Sequence, residues 1–422
     1  MKKTTVQALT ALALALLILL ALDRLTNRLD VVEGHAWDFV YYIDMAENGV
    51  WGNPNLAAPY AYRFITPLLA RGLNQLLGTP TFVGFKLLAY GGLLTALWGV
   101  YFVARKLGAG FWAALVVMSI PAGALFNVKF LLFDFYRPDQ LAYPLLVFAI
   151  LALMYRKPTL AVSLGVLGLL IREYLIIPIA IALFLWAREW WANRKDVRPL
   201  VWMGLTAAGT LLVLALPRWL IPITMTQQIL DPFNDPQFLK TLFGMPLNWK
   251  RNYNYVFNLA AYWMPLLILA TPGRLRRAWQ GLGAYRPWIW IYLGVNLLGM
   301  MYGGTDMMRY ATFFFIPQAF FISLILQDRE QPVHVYEVLY LWGALVIFNR
   351  LLFQFPIWDF NAYLDFYAGY GDVITRGSAL RWAEWLGLTG LGAALREVWL
   401  RSASLREMTL TALVERLPAW SR

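Results

Sequence analysis

Long apolar runs follow one another along most of this chain, and they restrict its possible folds more than any other feature. Runs of about 14 to 24 residues recur, each closed by Arg, Lys, Pro or Gly, a pattern typical of helices cut to bilayer thickness. Hydrophobic residues make up 60% of the 422 residues and charged residues 14%, which is too apolar for one water-soluble core. The sequence therefore predicts an all-α polytopic membrane protein, with a single transmembrane domain over residues 1–422.

The charged and reactive residues exclude several classes of protein. The net charge is +12, but the basic residues lie in short clusters between apolar runs, as the positive-inside rule predicts for membrane proteins. We therefore predict contacts with membrane lipids and none with nucleic acid. The chain has no cysteine and only two histidines, so disulfides, zinc-thiolate sites and a multi-histidine metal site are not expected.

Run length and the alternation of basic loops predict about twelve transmembrane helices in the cell membrane, with the N-terminus cytoplasmic and the first helix uncleaved. Loops 23–80 and 221–258 then become the large extracytoplasmic loops. The predicted spans are 5–22, 81–104, 111–126, 140–155, two short helices within 159–187, 200–220, 259–270, 288–302, 310–326, 336–353 and 382–400.

Arg172 and Glu173 interrupt the apolar stretch 159–187, which has basic clusters at both ends. Two helices of about 14 residues, each about 21 Å long, would place this charged tip below the outer membrane surface. Adjacent helical residues point about 100° apart, so we predict separate partners. Arg172 would bind a phosphate or a carboxylate, and Glu173 an arginine or a sugar hydroxyl. The alternative is a tip that reaches water and leaves both side chains solvated.

The first loop contains two candidate catalytic carboxylates, Asp38 and Asp44, on a helix predicted to run from Asp38 to Asn48 and to stop at Gly49. Six helical residues turn about 600°, so the two carboxylates would point about 120° apart and only one is expected to act as a base. We favour Asp38, which lies among aromatic residues. The alternatives are helix capping for Asp38 and a solvated position for Asp44.

Two further outer segments carry candidate binding residues. Asp306 and Arg309 follow two glycines, and Arg309 suits a phosphate near the membrane surface, although a tight turn with a helical ion pair is equally compatible. Arg137 and Asp139 lie among aromatic residues, which suits a sugar-phosphate site or an interfacial belt. We predict that Arg172, Arg309 and Arg137 bind a donor phosphate. The predicted substrate-binding residues are Glu173, Arg63, Asp306 and Asp139.

Together, the acidic first outer loop, the short broken helices, the Arg172-Glu173 pair and the outer Gly-Gly-Thr-Asp-x-x-Arg-Tyr segment resemble the polytopic glycosyltransferases of the C superfamily. The resemblance covers residues 15–326, and the chain departs from versions with two adjacent acids. It implies transfer of a sugar from a polyprenyl-phosphate donor to a lipid or glycan acceptor at the extracytoplasmic face, with inversion. By resemblance Asp38 matches the carboxylate near the acceptor, and Arg172 and Arg309 suit the donor phosphate.

The implied chemistry is coherent: a carboxylate orients or deprotonates an acceptor hydroxyl, and arginines stabilise the departing lipid phosphate. A divalent metal would help this chemistry without being required, so no cofactor and no metal ligand are assigned. Two alternatives remain, a polymerase or ligase of lipid-linked glycans and a lipid or sugar transporter. The first would rely on outer loops rich in Arg and His, and the second would pair intramembrane charges across related halves, for which no internal repeat exists.

Overall fold

A computed structural model describes residues 3–25, 39–221, 223, 225–226, 243–302, 307–352, 374–402 and 407–415, and they are almost entirely helical. Two short strands, β1 (Ala57–Ala58) and β2 (Met225–Thr226), pair in parallel. The α-helices are α1 (Lys3–Arg24), α2 (Phe39–Asn48), α3 (Ile65–Leu77), α4 (Thr81–Lys106), α5 (Phe111–Gly123), α6 (Lys129–Phe133), α7 (Asp139–Met154), α8 (Pro158–Leu169), α9 (Ile176–Ala192), α10 (Arg198–Leu220), α11 (Trp249–Tyr262), α12 (Met264–Leu269), α13 (Pro272–Gly281), α14 (Arg286–Tyr302), α15 (Met307–Ala311), α16 (Phe315–Ile325), α17 (Val335–Phe348), α18 (Arg376–Arg401) and α19 (Leu410–Glu415). Single turns of 3-10 helix occupy Tyr60–Arg63, Glu173–Leu175, Met245–Leu247, Gly283–Tyr285 and Thr312–Phe314.

Within the described residues, five helical segments are long and apolar enough to cross a membrane, which is consistent with an all-α membrane protein. They are Lys3–Arg24, Thr81–Lys106, Glu173–Ala192, Arg198–Leu220 and Met307–Ile325. Helices α5, α7, α8 and α17 are apolar but shorter. The total of about twelve spans stays a prediction.

Helices α4 and α7 form the centre of the bundle and run in the same direction. A side chain at Gly92 would meet the backbone of Gln140, and one at Gly99 would meet Val147, so seven residues along α4 match seven along α7. Helix α7 begins at Asp139, at the end of the bundle that we call the site end, and α4 begins further out at the same end, at Thr81. Both finish at the opposite end beside basic residues such as Arg105 and Arg156, which we call the basic end.

The segment 158–192 forms two helices with a charged tip between them, as predicted, but only the first is short. Residues Glu173–Ala192 are long and apolar enough to cross a membrane. Helix α8 has 12 residues and is therefore about 18 Å long, well short of the roughly 30 Å hydrocarbon core of a bilayer. Helix α8 runs from the basic end toward the site end. After one 3-10 turn at Glu173–Leu175, helix α9 runs back to the basic end. Arg172 and Glu173 consequently lie at the site end, within the depth of the bundle.

From residue 39 onward the first loop is largely helical, as predicted, while the predicted helix start at Asp38 lies outside the described residues. Helix α2 ends at Asn48 and Gly49 takes a φ of +86°, a conformation that glycine adopts without strain. The loop has its own apolar core, in which Tyr42, Met45 and Val50 pack with Phe85 of α4. This packing fixes the loop against the site end of the bundle.

The helix boundaries differ from the prediction at residues 259–270. One helix there already begins at Trp249, before the apolar run, and a second follows from Met264. Helix α11 contains polar residues, so its low hydropathy predicts a loop. Two of these residues, Asn254 and Asn258, are buried against the bundle. Pro265 lies in the first turn of α12, where its missing N–H is tolerated.

Candidate functional site

Four side chains of alternating charge lie in a row at the site end. Arg172 donates from Nε and Nη2 to the two carboxylate oxygens of Asp139, at 3.1 and 2.8 Å. Arg63 donates from Nε and Nη2 to Oε1 of Glu173, at 3.0 and 2.8 Å. Oε2 of Glu173 lies 3.9 Å from Nη1 of Arg172, so the two pairs meet. Residues distant in sequence thus form one charged cluster.

The two pairs differ in their exposure to solvent. The side chains of Arg172 and Asp139 are 1% and 0% exposed, whereas that of Glu173 is 56% exposed. Nη1 of Arg172 is buried and forms no hydrogen bond with any described residue. A buried guanidinium N–H without an acceptor costs free energy, so an acceptor at this atom would be stabilising.

The three arginines predicted to bind a phosphate all lie around one carboxylate. Besides Arg172, both Arg137 and Arg309 are close enough to interact electrostatically with Asp139. Arg137 is buried and also bonds to Asp134, three residues earlier. The three guanidinium groups therefore all stabilise the negative charge of the buried Asp139 carboxylate.

Aromatic rings line the cluster. The guanidinium groups of Arg172 and Arg309 lie 5.9 and 5.3 Å from the ring centre of Tyr310. Tyr174 stacks on Phe313 with ring centres 4.1 Å apart. Aromatic faces attract guanidinium groups and hold them in place once water is excluded, so these rings help to orient the two arginines.

A break between α15 and α16 places Arg309 at the site. Thr312–Phe314 form a 3-10 turn, and the carbonyl oxygen of Thr312 accepts a hydrogen bond from the Tyr262 hydroxyl at 2.9 Å. The carbonyl of Phe313 accepts one from the Tyr292 hydroxyl at 2.6 Å. A helix can break at membrane depth only where protein groups bind the freed backbone carbonyls. These tyrosines give no distinct signal in the sequence, because aromatic residues are common throughout the chain.

Some of the predicted site residues lie together in the charged cluster at the site end, and others do not. Arg63, Arg137, Asp139, Arg172, Glu173 and Arg309 lie in the cluster. Asp38 and Asp306 lie outside the described residues.

Arg172 and Glu173 each have one of the partners that the sequence predicts for them, a carboxylate for Arg172 and an arginine for Glu173. Arg172 binds the carboxylate of Asp139, and Glu173 binds Arg63, so the prediction of separate partners is confirmed. The alternative of a fully solvated tip is wrong for Arg172, because the folded bundle buries its guanidinium group completely.

Asp44 is occupied within its own loop. One carboxylate oxygen accepts a hydrogen bond from Asn48 at 2.7 Å and the other from Asn53 at 2.5 Å. Asn53 is buried and also binds the carbonyl of Gly49. These contacts hold the turn after α2 and favour a local structural role for Asp44.

A second charged cluster lies at the basic end and was not anticipated. Glu337 accepts hydrogen bonds from Arg274 at 2.8 and 3.0 Å and from Arg396 at 2.8 Å. The remaining N–H groups of Arg274 reach carbonyl oxygens of Leu269, Gln331 and Pro332. All five N–H groups of Arg274 are thereby used, so this cluster connects α12, α13, α17 and α18 structurally. A lone Glu inside an apolar run was the available signal.

The sequence predicts no ligand set for a divalent metal, which would help the chemistry without being required. Within the ranges that the structure describes, no group of three or more His, Asp or Glu side chains is placed to hold a metal ion. The carboxylates of Asp139 and Glu173 are engaged by arginines and Asp44 by asparagines, so these groups do not fit an open metal site.

No protein-family model matches the sequence, and no curated protein or solved structure matches it either.

Proposed function

We propose that this protein is a membrane glycosyltransferase that transfers a sugar from a polyprenyl-phosphate donor to a lipid or glycan acceptor. In this proposal the N-terminus is cytoplasmic, the site end faces the extracytoplasmic side, and the fold is of the C-superfamily type. The carrying observation is the cluster of Arg137, Arg172 and Arg309 around Asp139, because it gathers three guanidinium groups, including the Arg172 Nη1 atom that has no hydrogen-bond acceptor among the described residues, at the end of apolar helices.

Each part of the cluster has a chemical task in this proposal. Arg172 and Arg309 bind the donor phosphate and stabilise the charge that grows on it as the glycosidic bond breaks. Asp139 fixes the orientation of Arg172 through two hydrogen bonds. The acceptor hydroxyl attacks the anomeric carbon on the face opposite the phosphate, with inversion, and its proton passes to a first-loop carboxylate, for which Asp38 is the candidate. The polyprenyl chain would lie along the apolar helix surfaces.

The test uses the purified full chain in nanodiscs with a panel of radiolabelled polyprenyl-phosphate sugars and a total membrane lipid extract as the source of acceptors. We expect release of polyprenyl phosphate together with labelled acceptor. Arg309→Gln should lower transfer by about 100-fold or more, the usual cost of losing one group that stabilises transition-state charge. Asp38→Asn should lower it by about 100-fold as well, as removal of a general base does.

Arg277→Gln is the matched control, because Arg277 binds Asp328 and Glu330 at the basic end and should leave transfer unchanged. Equal losses in Arg277→Gln and Arg309→Gln would argue against a specific phosphate role for Arg309. No turnover and no bound polyprenyl lipid with any donor would contradict the transferase and favour transport.

A further inference from the structure

Glu173 occupies an unusual position between two arginines. Its Oε1 atom accepts two hydrogen bonds from Arg63, and its Oε2 atom points toward Nη1 of Arg172 at 3.9 Å. That second distance is too long for a hydrogen bond. The carboxylate therefore satisfies Arg63 and leaves Nη1 of Arg172 without an acceptor.

The exposure of the cluster shows which contact breaks most easily. The Arg172–Asp139 pair is buried on both sides, and separating it would leave an uncompensated buried charge. Glu173 has a side chain that is 56% exposed, so its carboxylate can leave Arg63 and regain water. Arg63 itself is buried, with a side chain that is 10% exposed, so it would need the incoming anion to replace the Glu173 carboxylate. An incoming anion would thus displace Glu173 before it displaced Asp139.

A phosphate group matches this place better than a carboxylate does. It carries more charge and more acceptor oxygens, and arginines bind it through paired hydrogen bonds. One phosphate could accept hydrogen bonds from Arg63 and from Nη1 of Arg172 at the same time. The Glu173 carboxylate does not do so, because its Oε2 atom lies 3.9 Å from Nη1.

We infer that Glu173 occupies the place of the donor phosphate on Arg63 and Arg172, and gives up this place when the donor binds. The inference rests on the proposed function and deepens it, because it names Arg63 and Arg172 as the anion-binding pair and Glu173 as a built-in competitor. The group recognised is a phosphate ester at the end of an apolar chain, and Glu173 sets the affinity for it.

The experiment measures binding of a polyprenyl phosphate to the full chain in nanodiscs by isothermal titration calorimetry. Glu173→Gln keeps the size of the side chain and removes its charge. It should bind the lipid at least about fivefold more tightly than the wild type, the lower end of usual coupling between two ligands. Glu173→Asp, which keeps the charge, should stay near wild-type affinity. Inorganic phosphate should compete with the lipid in all three proteins.

Glu330→Gln is the matched control, since Glu330 is also an exposed carboxylate bound to an arginine, but at the basic end. Circular dichroism and thermal unfolding check that each variant is folded. Lipid binding that is unchanged or weaker in folded Glu173→Gln would overturn the inference and leave the transferase standing. No binding of the lipid by the wild type or by any variant would overturn the proposed function, and the inference with it.

Discussion

Arg172 and Glu173 are neighbours in the chain, yet their main partners lie 33 and 110 residues away. The fold gives them opposite surroundings, because Arg172 turns into the bundle and Glu173 remains half-exposed. A buried arginine without a bonded carboxylate would cost several kcal/mol. The position of Asp139 therefore decides whether the Arg172 guanidinium can be buried at this depth.

Lys129 should make the stability of the protein depend on pH. The lysine is buried in α6 and donates to the carbonyl of Arg350 at 2.6 Å. Burial lowers the pKa of Lys129 to about 8, whereas an unfolded lysine has a pKa of about 10.4. Between these values the folded protein holds fewer protons than the unfolded chain, so the free energy of unfolding rises with pH.

We therefore expect the free energy of unfolding to rise by an amount on the order of 1–3 kcal/mol between about pH 8 and about pH 10. The melting temperature should rise over the same range. Thermal unfolding in detergent at several pH values measures this rise. Lys129→Met should flatten it, and Lys157→Met, at an exposed lysine of the basic end, should not. The same slope in Lys129→Met and the wild type would show that another group titrates.

At the scale of helices, glycines determine how closely α4 approaches α7. A Cβ at Gly92 would lie 2.1 Å from the carbonyl oxygen of Gln140, the residue after Asp139. Small residues permit such close contacts between membrane helices. The packing of α4 thus helps to place Asp139, and through it Arg172, at the site.

Gly92→Ala should disturb both packing and site, because a backbone atom that it meets cannot move aside. We expect a loss of about 1–3 kcal/mol or more in stability, with reduced transfer activity in the protein that folds. Gly91→Ala is the control one residue away, where a Cβ meets nothing within 4 Å. It should be neutral or stabilising by up to about 1 kcal/mol. Similar melting temperatures for the two variants would contradict this account of the α4–α7 contact.

At the scale of the whole molecule, the charges divide between two ends. The site end carries Arg172, Asp139 and the first-loop helix α2, and the basic end carries clusters such as Arg105-Lys106 and Arg156-Lys157. This separation agrees with a positive-inside orientation. It would expose the site end to the extracytoplasmic side.

Single-cysteine labelling tests that orientation, and the chain is suited to it because it contains no cysteine. Glu47→Cys places a thiol on the exposed side of the first loop, and Lys157→Cys places one at the basic end. In intact cells a membrane-impermeant maleimide should label only Glu47→Cys. In inverted vesicles it should label only Lys157→Cys. The reverse pattern would place the site end in the cytoplasm.

The sequence by itself determined the helical class, most helix positions and the charged tip at Arg172 and Glu173. Apolar run length and basic loops act locally, so they can be read without a fold. It also indicated the arginines that gather at the site end. Long-range contacts were not accessible in this way, because the Asp139–Arg172 and Arg63–Glu173 pairs depend on how α7, α8 and the first loop pack. Only the tertiary structure decided that Arg172 is buried, that Glu173 is exposed, and that Glu337 joins the helices of the basic end.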